Sequence, residues 1–133
     1  MSSKGRTLTL GAFCAYLAAL SYVCFAKPDG LPDMPSEWFG IPIDKAVHFL
    51  MFIPYPVLAV LTFHKKNYGV LHDILIFCIV LVTGAALAIG TELIQSTTGY
   101  RSFEINDFYA DALGMAVGAA LAAGIIIYRR GKA

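Results

Sequence analysis

Six polar or charged side chains lie close together between positions 92 and 111, around one short connection between two apolar segments. Carboxylates in such a place could exchange protons, pair with a cation or hold a positively charged ligand. An ionisable side chain at the bilayer centre costs about 2.5 to 3.5 kcal/mol, so at the ends of membrane-length segments these groups are expected to be paired, functional or both. The six residues are Glu92, Gln95, Arg101, Glu104, Asp107 and Asp111.

The composition predicts the elements that must position these side chains. Of the 133 residues, 58% are hydrophobic and 14% are charged, and the mean hydropathy is +0.68, which is too apolar for a small soluble domain. Four segments approach the roughly 20 residues that a membrane helix needs. Because backbone groups in lipid must bond internally, we predict an all-α, integral membrane four-helix bundle forming a single domain over 1–133. The predicted spans are 8–26, 46–63, 74–91 and 112–128.

The charge distribution predicts the orientation. The N-terminal tail, the connection at 65–66 and the C-terminal tail hold seven of the ten basic residues, so we expect these regions, and both termini, to be cytoplasmic. Eight of the nine acidic residues then face outward, and only Asp73 lies inside. The first apolar segment is longer than the about 7 to 15 residues of a signal sequence, so we expect it to be retained. The sequence thus predicts a multi-pass membrane protein whose acidic side faces outward.

The second span carries polar residues at its outer end and prolines at its middle. Asp44 is expected to be its N-cap, with His48 one turn deeper. Pro54 and Pro56 remove backbone donors, so a kink is expected there. The span should therefore be a bent helix that presents His48 near the outer surface.

The connection before this span, 27–44, is rich in proline and should be an irregular outer loop. Trp38 and Phe39 within it suit the membrane interface, where they would anchor the loop. Contact of Trp38 with a ligand is the alternative.

Small residues predict close helix packing in the last two spans. Gly84 and Ala88 precede Glu92 at four-residue steps, so Glu92 should face a neighbouring helix rather than lipid. Asn106 or Asp107 should cap the fourth span. This span also carries a longer ladder, which could meet the third helix or another copy of the chain; we favour contact within the chain, with an oligomer as the alternative. The ladder is Ala110, Gly114, Gly118 and Ala122.

Polar residues at three outer helix ends should converge into a pocket, because these ends are neighbours in an antiparallel bundle. Helix N-termini, Lys45 and Arg101 suit anionic groups there, and the carboxylates suit amines. The alternative is that the cations only neutralise the carboxylates and fasten the helices together. His48 with three carboxylates could bind a metal, but the spacing fits no metal motif, so we predict neither metal nor cofactor. The predicted pocket residues are Asp44, Lys45, His48, Glu92, Gln95, Arg101, Asp107 and Asp111.

The order and spacing of these residues resemble the VanZ-like family of small bacterial membrane proteins, over about 44–118. The family is named after a protein associated with low-level resistance to the glycopeptide teicoplanin. The resemblance implies a multi-pass protein of the bacterial cytoplasmic membrane that is linked to the cell envelope, but no known reaction. At Asp111 the family usually has asparagine, so this chain carries an additional charge. The matching pattern is Asp44-Lys45-x-x-His48-Phe49-x-x-Phe52, then Glu92-x-x-Gln95, then Arg101-x-x-x-x-x-Asp107-x-x-x-Asp111-x-x-Gly114.

Three functions fit the sequence. The first is a non-enzymatic envelope protein whose pocket binds a lipid headgroup, a cell-wall precursor or a glycopeptide antibiotic, contributing to envelope function or resistance. The second is a membrane enzyme acting on a lipid or lipid-linked sugar, with His48 or Glu92 as general acid or base and Arg101 as electrostatic stabiliser. The third, a proton-coupled carrier, lacks a visible path through the inner half. No feature supports nucleic-acid binding, and the partners expected are the bilayer and a lipid-like ligand.

Overall fold

The computed structural model describes residues 3–26, 36–64, 69–99 and 104–131. Helices account for nearly all of these residues, and four helical segments are long and apolar enough to cross a membrane. The predictions of an all-α fold and of four spans are therefore confirmed. The elements are α1 (Ser3–Phe25), β1 (Glu37–Trp38), β2 (Ile41–Pro42), α2 (Ile43–Phe52), α3 (Pro54–Phe63), α4 (Val70–Thr97) and α5 (Ile105–Gly131).

Helices α4 and α5 extend further toward the end of the bundle that carries Glu92 and Asp107 than the apolar segments alone predicted. Helix α4 continues to Thr97, and α5 begins at Ile105, so the predicted cap at Asn106 or Asp107 is wrong. Hydropathy marks only the lipid-contacting part of a helix, whereas polar residues can continue its hydrogen bonding beyond that part. Both helix ends therefore carry polar side chains on helical backbone.

The second span is interrupted next to the prolines that predict a kink. It comprises α2 and α3, which together run over Ile43–Phe63 and are interrupted at Ile53. Pro42 occupies the N-cap position of α2, so the prediction that Asp44 caps this helix is wrong; Asp44 lies within the first turn. Its carboxylate interacts with the backbone of the first turn and with the Lys45 ammonium group.

A tight hairpin precedes α2 where an irregular loop was predicted, and positions 27–35 of that loop lie outside the described residues. Strands β1 and β2 pair antiparallel, and the turn residues Phe39 and Gly40 have φ of 52° and 76°. Two successive positive φ values are typical of the hairpin turn that matches strand twist, in which asparagine and glycine are preferred. Phenylalanine is strained in that region, and its side chain is 92% exposed.

Glycines allow α5 to approach the second span very closely. A Cβ atom at Gly114 would overlap the backbone carbonyl of Phe49, and one at Gly118 would overlap that of Ile53. These two rungs of the small-residue ladder therefore contact the second span of the same chain, not the third helix. On α4, a Cβ atom at Gly84 would instead meet the side chains of Met115 and Tyr55.

The opposite end of the bundle is joined by its own polar contacts. His64 Nε2 lies 2.7 Å from Asp73 Oδ1, and an Arg130 nitrogen lies 2.6 Å from Asp73 Oδ2. The contacts connect the end of α3, the start of α4 and the end of α5. The bundle therefore has a polar cluster at each end, separated by apolar helix.

Candidate functional site

Lys45 is the centre of the outermost part of the site. Its Nζ lies 2.9 Å from Asp44 Oδ2 and 2.5 Å from Glu104 Oε2, and it also forms an ion pair with Asp107 Oδ1. These contacts join the first turn of α2 to the first turn of α5 and to the residue before it. One ammonium group thus serves three carboxylates.

His48 lies one turn deeper on α2 and faces α4 and α5. Its Nδ1 hydrogen-bonds Asp111 Oδ1 at 2.9 Å and lies 3.8 Å from Glu92 Oε1. Its Nε2 lies 3.6 Å from Asp107 Oδ2. The imidazole is buried, as are the side chains of Glu92 and Asp111. Three spans therefore each contribute ionisable groups to one enclosed volume.

Helix periodicity explains why these groups meet. Lys45 and His48 are three residues apart on α2, and Asp107 and Asp111 are four apart on α5, so each pair shares one helix face. Those two faces meet where Gly114 lets the backbones approach. The close approach of α2 and α5 is thus a precondition of the site.

The cluster carries more negative than positive charge. Within the described part of the chain, Lys45 is the only lysine or arginine that pairs with it, against five carboxylates and one histidine. Removing so many carboxylates from water is unfavourable unless protons, a cation or a ligand offset the charge. Among the described residues the cluster therefore has an excess of negative charge. The five carboxylates belong to Asp44, Glu92, Glu104, Asp107 and Asp111.

Most of the predicted pocket residues come together, and two require separate mention. Gln95 is turned away from the cluster and donates a hydrogen bond from Nε2 to the Cys24 carbonyl of α1 at 2.9 Å. Arg101 lies outside the described residues. The six that gather are Asp44, Lys45, His48, Glu92, Asp107 and Asp111.

Glu104 belongs to the site although the predicted set omits it. Its carboxylate contacts Lys45, and its backbone N–H donates to Glu92 Oε2 at 3.5 Å. Its position in the charged stretch between the last two spans could have indicated that Glu104 belongs to the site. The spacing of the residues, however, does not predict that it pairs with Lys45. The residue links the outer and inner parts of the cluster.

An apolar groove of about 460 Å³ adjoins the cluster, between α2, α5 and the hairpin. Trp38 and Phe39 of the hairpin lie along it, and Lys45 belongs to both the groove and the charged cluster. From the sequence we predicted that Trp38 is mainly an interfacial anchor, and we did not predict the groove. The other lining residues are Ile41, Ala46, Phe49, Leu50, Ala110 and Leu113.

Two subsets of the cluster have metal-compatible spacing. One is His48, Glu92 and Asp107, and the other is Asp44 and Glu104 with Asp107. In the second subset the carboxylates already share the Lys45 ammonium group. Among the described residues, buried donor atoms without a hydrogen-bond partner occur in the first subset, at His48 Nε2 and Glu92 Oε1.

Comparison with known proteins identifies a family. No curated protein and no solved structure matches the chain. The family model described as VanZ/LLP1 matches residues 13–128, which includes the second and third spans, most of the fourth, the second half of the first and every residue of the cluster. The chain therefore belongs to the VanZ/LLP1 family.

Proposed function

We propose that this protein binds an amphiphile at the outer surface of the bacterial cytoplasmic membrane without transforming it. The apolar part of the ligand occupies the groove, and a headgroup bearing an amine or other cationic group contacts the carboxylate cluster. The observation that carries the proposal is the junction of groove and cluster at Lys45. An apolar cleft with a few convergent polar groups is the usual form of a small-ligand site.

The charge of the cluster supports a cationic headgroup. Lys45 already contacts three carboxylates, so it has little remaining attraction for a phosphate. The exposed carboxylate of Glu104 offers oxygen acceptors at the edge of the cluster. An aminophospholipid or an amine-bearing wall precursor has both an apolar part for the groove and a cationic group for the carboxylates.

The hairpin supports a role for the groove beyond anchoring. Phe39 holds a strained backbone conformation, and its ring lies 5.7 Å from that of Trp38. Both rings line the groove. Backbone strain persists where surrounding structure and function maintain it, and here it places two aromatic rings beside the acyl-chain path.

Filling the groove tests this function. We expect Ala46→Trp to reduce the amount of aminophospholipid that copurifies with the protein, because the indole would occupy the space between α2 and α5. Native mass spectrometry in detergent measures the bound lipid. Ala86→Trp is the matched control, since Ala86 is an exposed position of α4 outside the groove. Equal lipid retention by the two variants would contradict the proposal.

An outward-facing site is part of the proposal. The polar contacts among His64, Asp73 and Arg130 gather the opposite ends of three helices, in agreement with a basic cytoplasmic side. We expect a cysteine introduced at Ser36 or Ser102 to react with an impermeant maleimide added outside intact cells, and one at Asn67 to be protected. The variants carry replacements of the three native cysteines. Labelling at Asn67 from outside would reverse the orientation.

A role in envelope function or glycopeptide resistance is the narrower form of this proposal. A glycopeptide with an attached acyl chain has the amphiphilic character that the groove and the cluster suit. Deletion followed by complementation with Ala46→Trp or Ala86→Trp would connect the groove to drug susceptibility.

Acid–base catalysis on a lipid or lipid-linked sugar is the second candidate. It is favoured by His48, whose Nδ1 is held by Asp111 while Nε2 has no hydrogen-bond partner. However, only 1% of the His48 side chain is exposed and it does not line the groove, so a groove-bound substrate would not reach it. Turnover of labelled envelope lipids by the purified protein would favour the enzyme over the binding protein.

A further inference from the structure

We propose that His48, Glu92 and Asp107 bind a divalent transition-metal cation, with Asp111 positioning His48. The sequence predicted no metal, because ligands drawn from three separate helices follow no linear motif. In space, one donor atom from each of the three side chains lies within 4.8 Å of the donor atoms of the other two. The cation site lies deeper than the groove and stands independently of lipid binding.

Buried donor atoms without partners are the first reason. His48 Nε2 and Glu92 Oε1 have no hydrogen-bond partner in the described structure, and each side chain is only 1% exposed. Buried polar groups are nearly always satisfied by protein, water or an ion. One donor atom of each side chain lies within 4.8 Å of the other, so a cation bound by both residues would give each of them a partner.

The second reason is the orientation of His48. Nδ1 lies 2.9 Å from Asp111 Oδ1, and in the tautomer whose Nδ1–H donates to this carboxylate the Nε2 lone pair is free. Metal-binding histidines commonly donate their other ring N–H to a carboxylate, which fixes the tautomer and the ring. Asp111 is therefore a positioning residue, and the departure from the usual family asparagine would make the imidazole a stronger ligand.

The distance between Nε2 and Asp107 Oδ2 also fits a shared cation. The two atoms are 3.6 Å apart, which is too long for a hydrogen bond. Two ligands that each lie about 2.0 to 2.2 Å from one zinc ion are separated by similar distances. The other oxygen of Asp107 is held by Lys45, so Oδ2 is fixed in its orientation toward His48.

The charge balance points the same way. Glu92, Asp107 and Asp111 supply three carboxylates to the inner part of the cluster, and the only lysine in contact with the described cluster is shared with Asp44 and Glu104. A divalent cation would offset two of these charges. One imidazole nitrogen with carboxylate oxygens suits zinc, whereas magnesium prefers an all-oxygen octahedron. Three protein ligands leave a coordination position open.

Zinc titration of the full-length protein tests the site. The protein is purified in detergent, stripped with a chelator and titrated with Zn²⁺ or Mg²⁺ in competition with a fluorescent indicator. We expect saturable binding of a single Zn²⁺ ion per chain and a preference for Zn²⁺ over Mg²⁺. Removing a ligand should weaken binding strongly, and Asp111→Asn should weaken it by about tenfold or more, as substitutions of second-sphere partners do.

Matched variants separate this site from adventitious histidine binding. His48→Gln and Glu92→Gln should lose the Zn²⁺ affinity, while His64→Gln, a buried histidine at the opposite end that also pairs with an aspartate, should retain it. Glu92→Gln removes a buried charge without changing the shape of the side chain, so its helical circular dichroism should be normal. If His48→Gln misfolds, the Zn²⁺ affinity of Glu92→Gln decides the test. Undiminished Zn²⁺ binding by Glu92→Gln, loss of binding by His64→Gln, or no saturable binding to the native chain would each overturn the proposal.

Discussion

Lys45→Met is expected to destabilise the bundle by about 3 kcal/mol, because it leaves a group of partly buried carboxylates without their cation. Lys45 contacts Asp44, Glu104 and Asp107, and methionine retains most of the aliphatic stem while removing the charge. The loss should appear as a lower midpoint in denaturant titration in mixed micelles, followed by circular dichroism. Chelator is present throughout so that a bound cation cannot replace the ammonium group.

Two further variants show whether the loss comes from the carboxylates. Lys4→Met removes a lysine from an exposed position at the other end of the bundle and should change stability little. Adding Asp107→Asn to Lys45→Met should restore part of the stability, because it removes the most buried of the three carboxylates that lose their partner. Equal midpoints for Lys45→Met and Lys4→Met would show that the ion pairs contribute nothing.

Much of the fold follows from the sequence because the bilayer restricts what the chain can do. Segment length and composition predict four helices, and Pro54 and Pro56 predict the break that the structure places at Ile53. The gathering of His48, Glu92 and Asp111 also follows, since residues at the same depth on neighbouring helices must meet. These inferences need only helix geometry and the direction of each span.

The partners of individual residues do not follow from the same information. Gly114 and Gly118 predict close approach to some helix, but a small side chain carries no information about which helix that is. Gln95 shares a face with Glu92 by spacing, yet it donates to the Cys24 carbonyl of α1. Helix rotation depends on the packing of every span at once, which no single segment reveals.

The groove could not be predicted from the sequence pattern either, because one of its walls is the hairpin, whose turn has an unfavourable backbone conformation at Phe39. Hairpin turns with two positive φ values are predicted from asparagine and glycine, whereas here Phe39 occupies the first position. Local propensity therefore gives no signal for the hairpin. Such disagreement between local preference and observed structure is expected at functional sites.

Gly114→Ala should destabilise the protein by about 1 to 3 kcal/mol, the range for overpacking a tight interface. The added Cβ would overlap the Phe49 carbonyl oxygen on α2, and a backbone atom cannot turn aside as a side chain can. Helix α2 must then move away from α5. Thermal unfolding of the purified protein measures the change.

The matched control lies on the same helix. Gly124→Ala adds a Cβ with nothing within 4 Å, so it should be neutral or slightly stabilising through improved helix propensity. Because Phe49 follows His48 directly on α2, Gly114→Ala should also separate His48 from Asp111 and weaken Zn²⁺ binding, which Gly124→Ala should leave unchanged. Equal unfolding temperatures for the two variants would mean that α2 and α5 do not rely on this contact, and the close backbone approach would then not be what holds the charged side chains together.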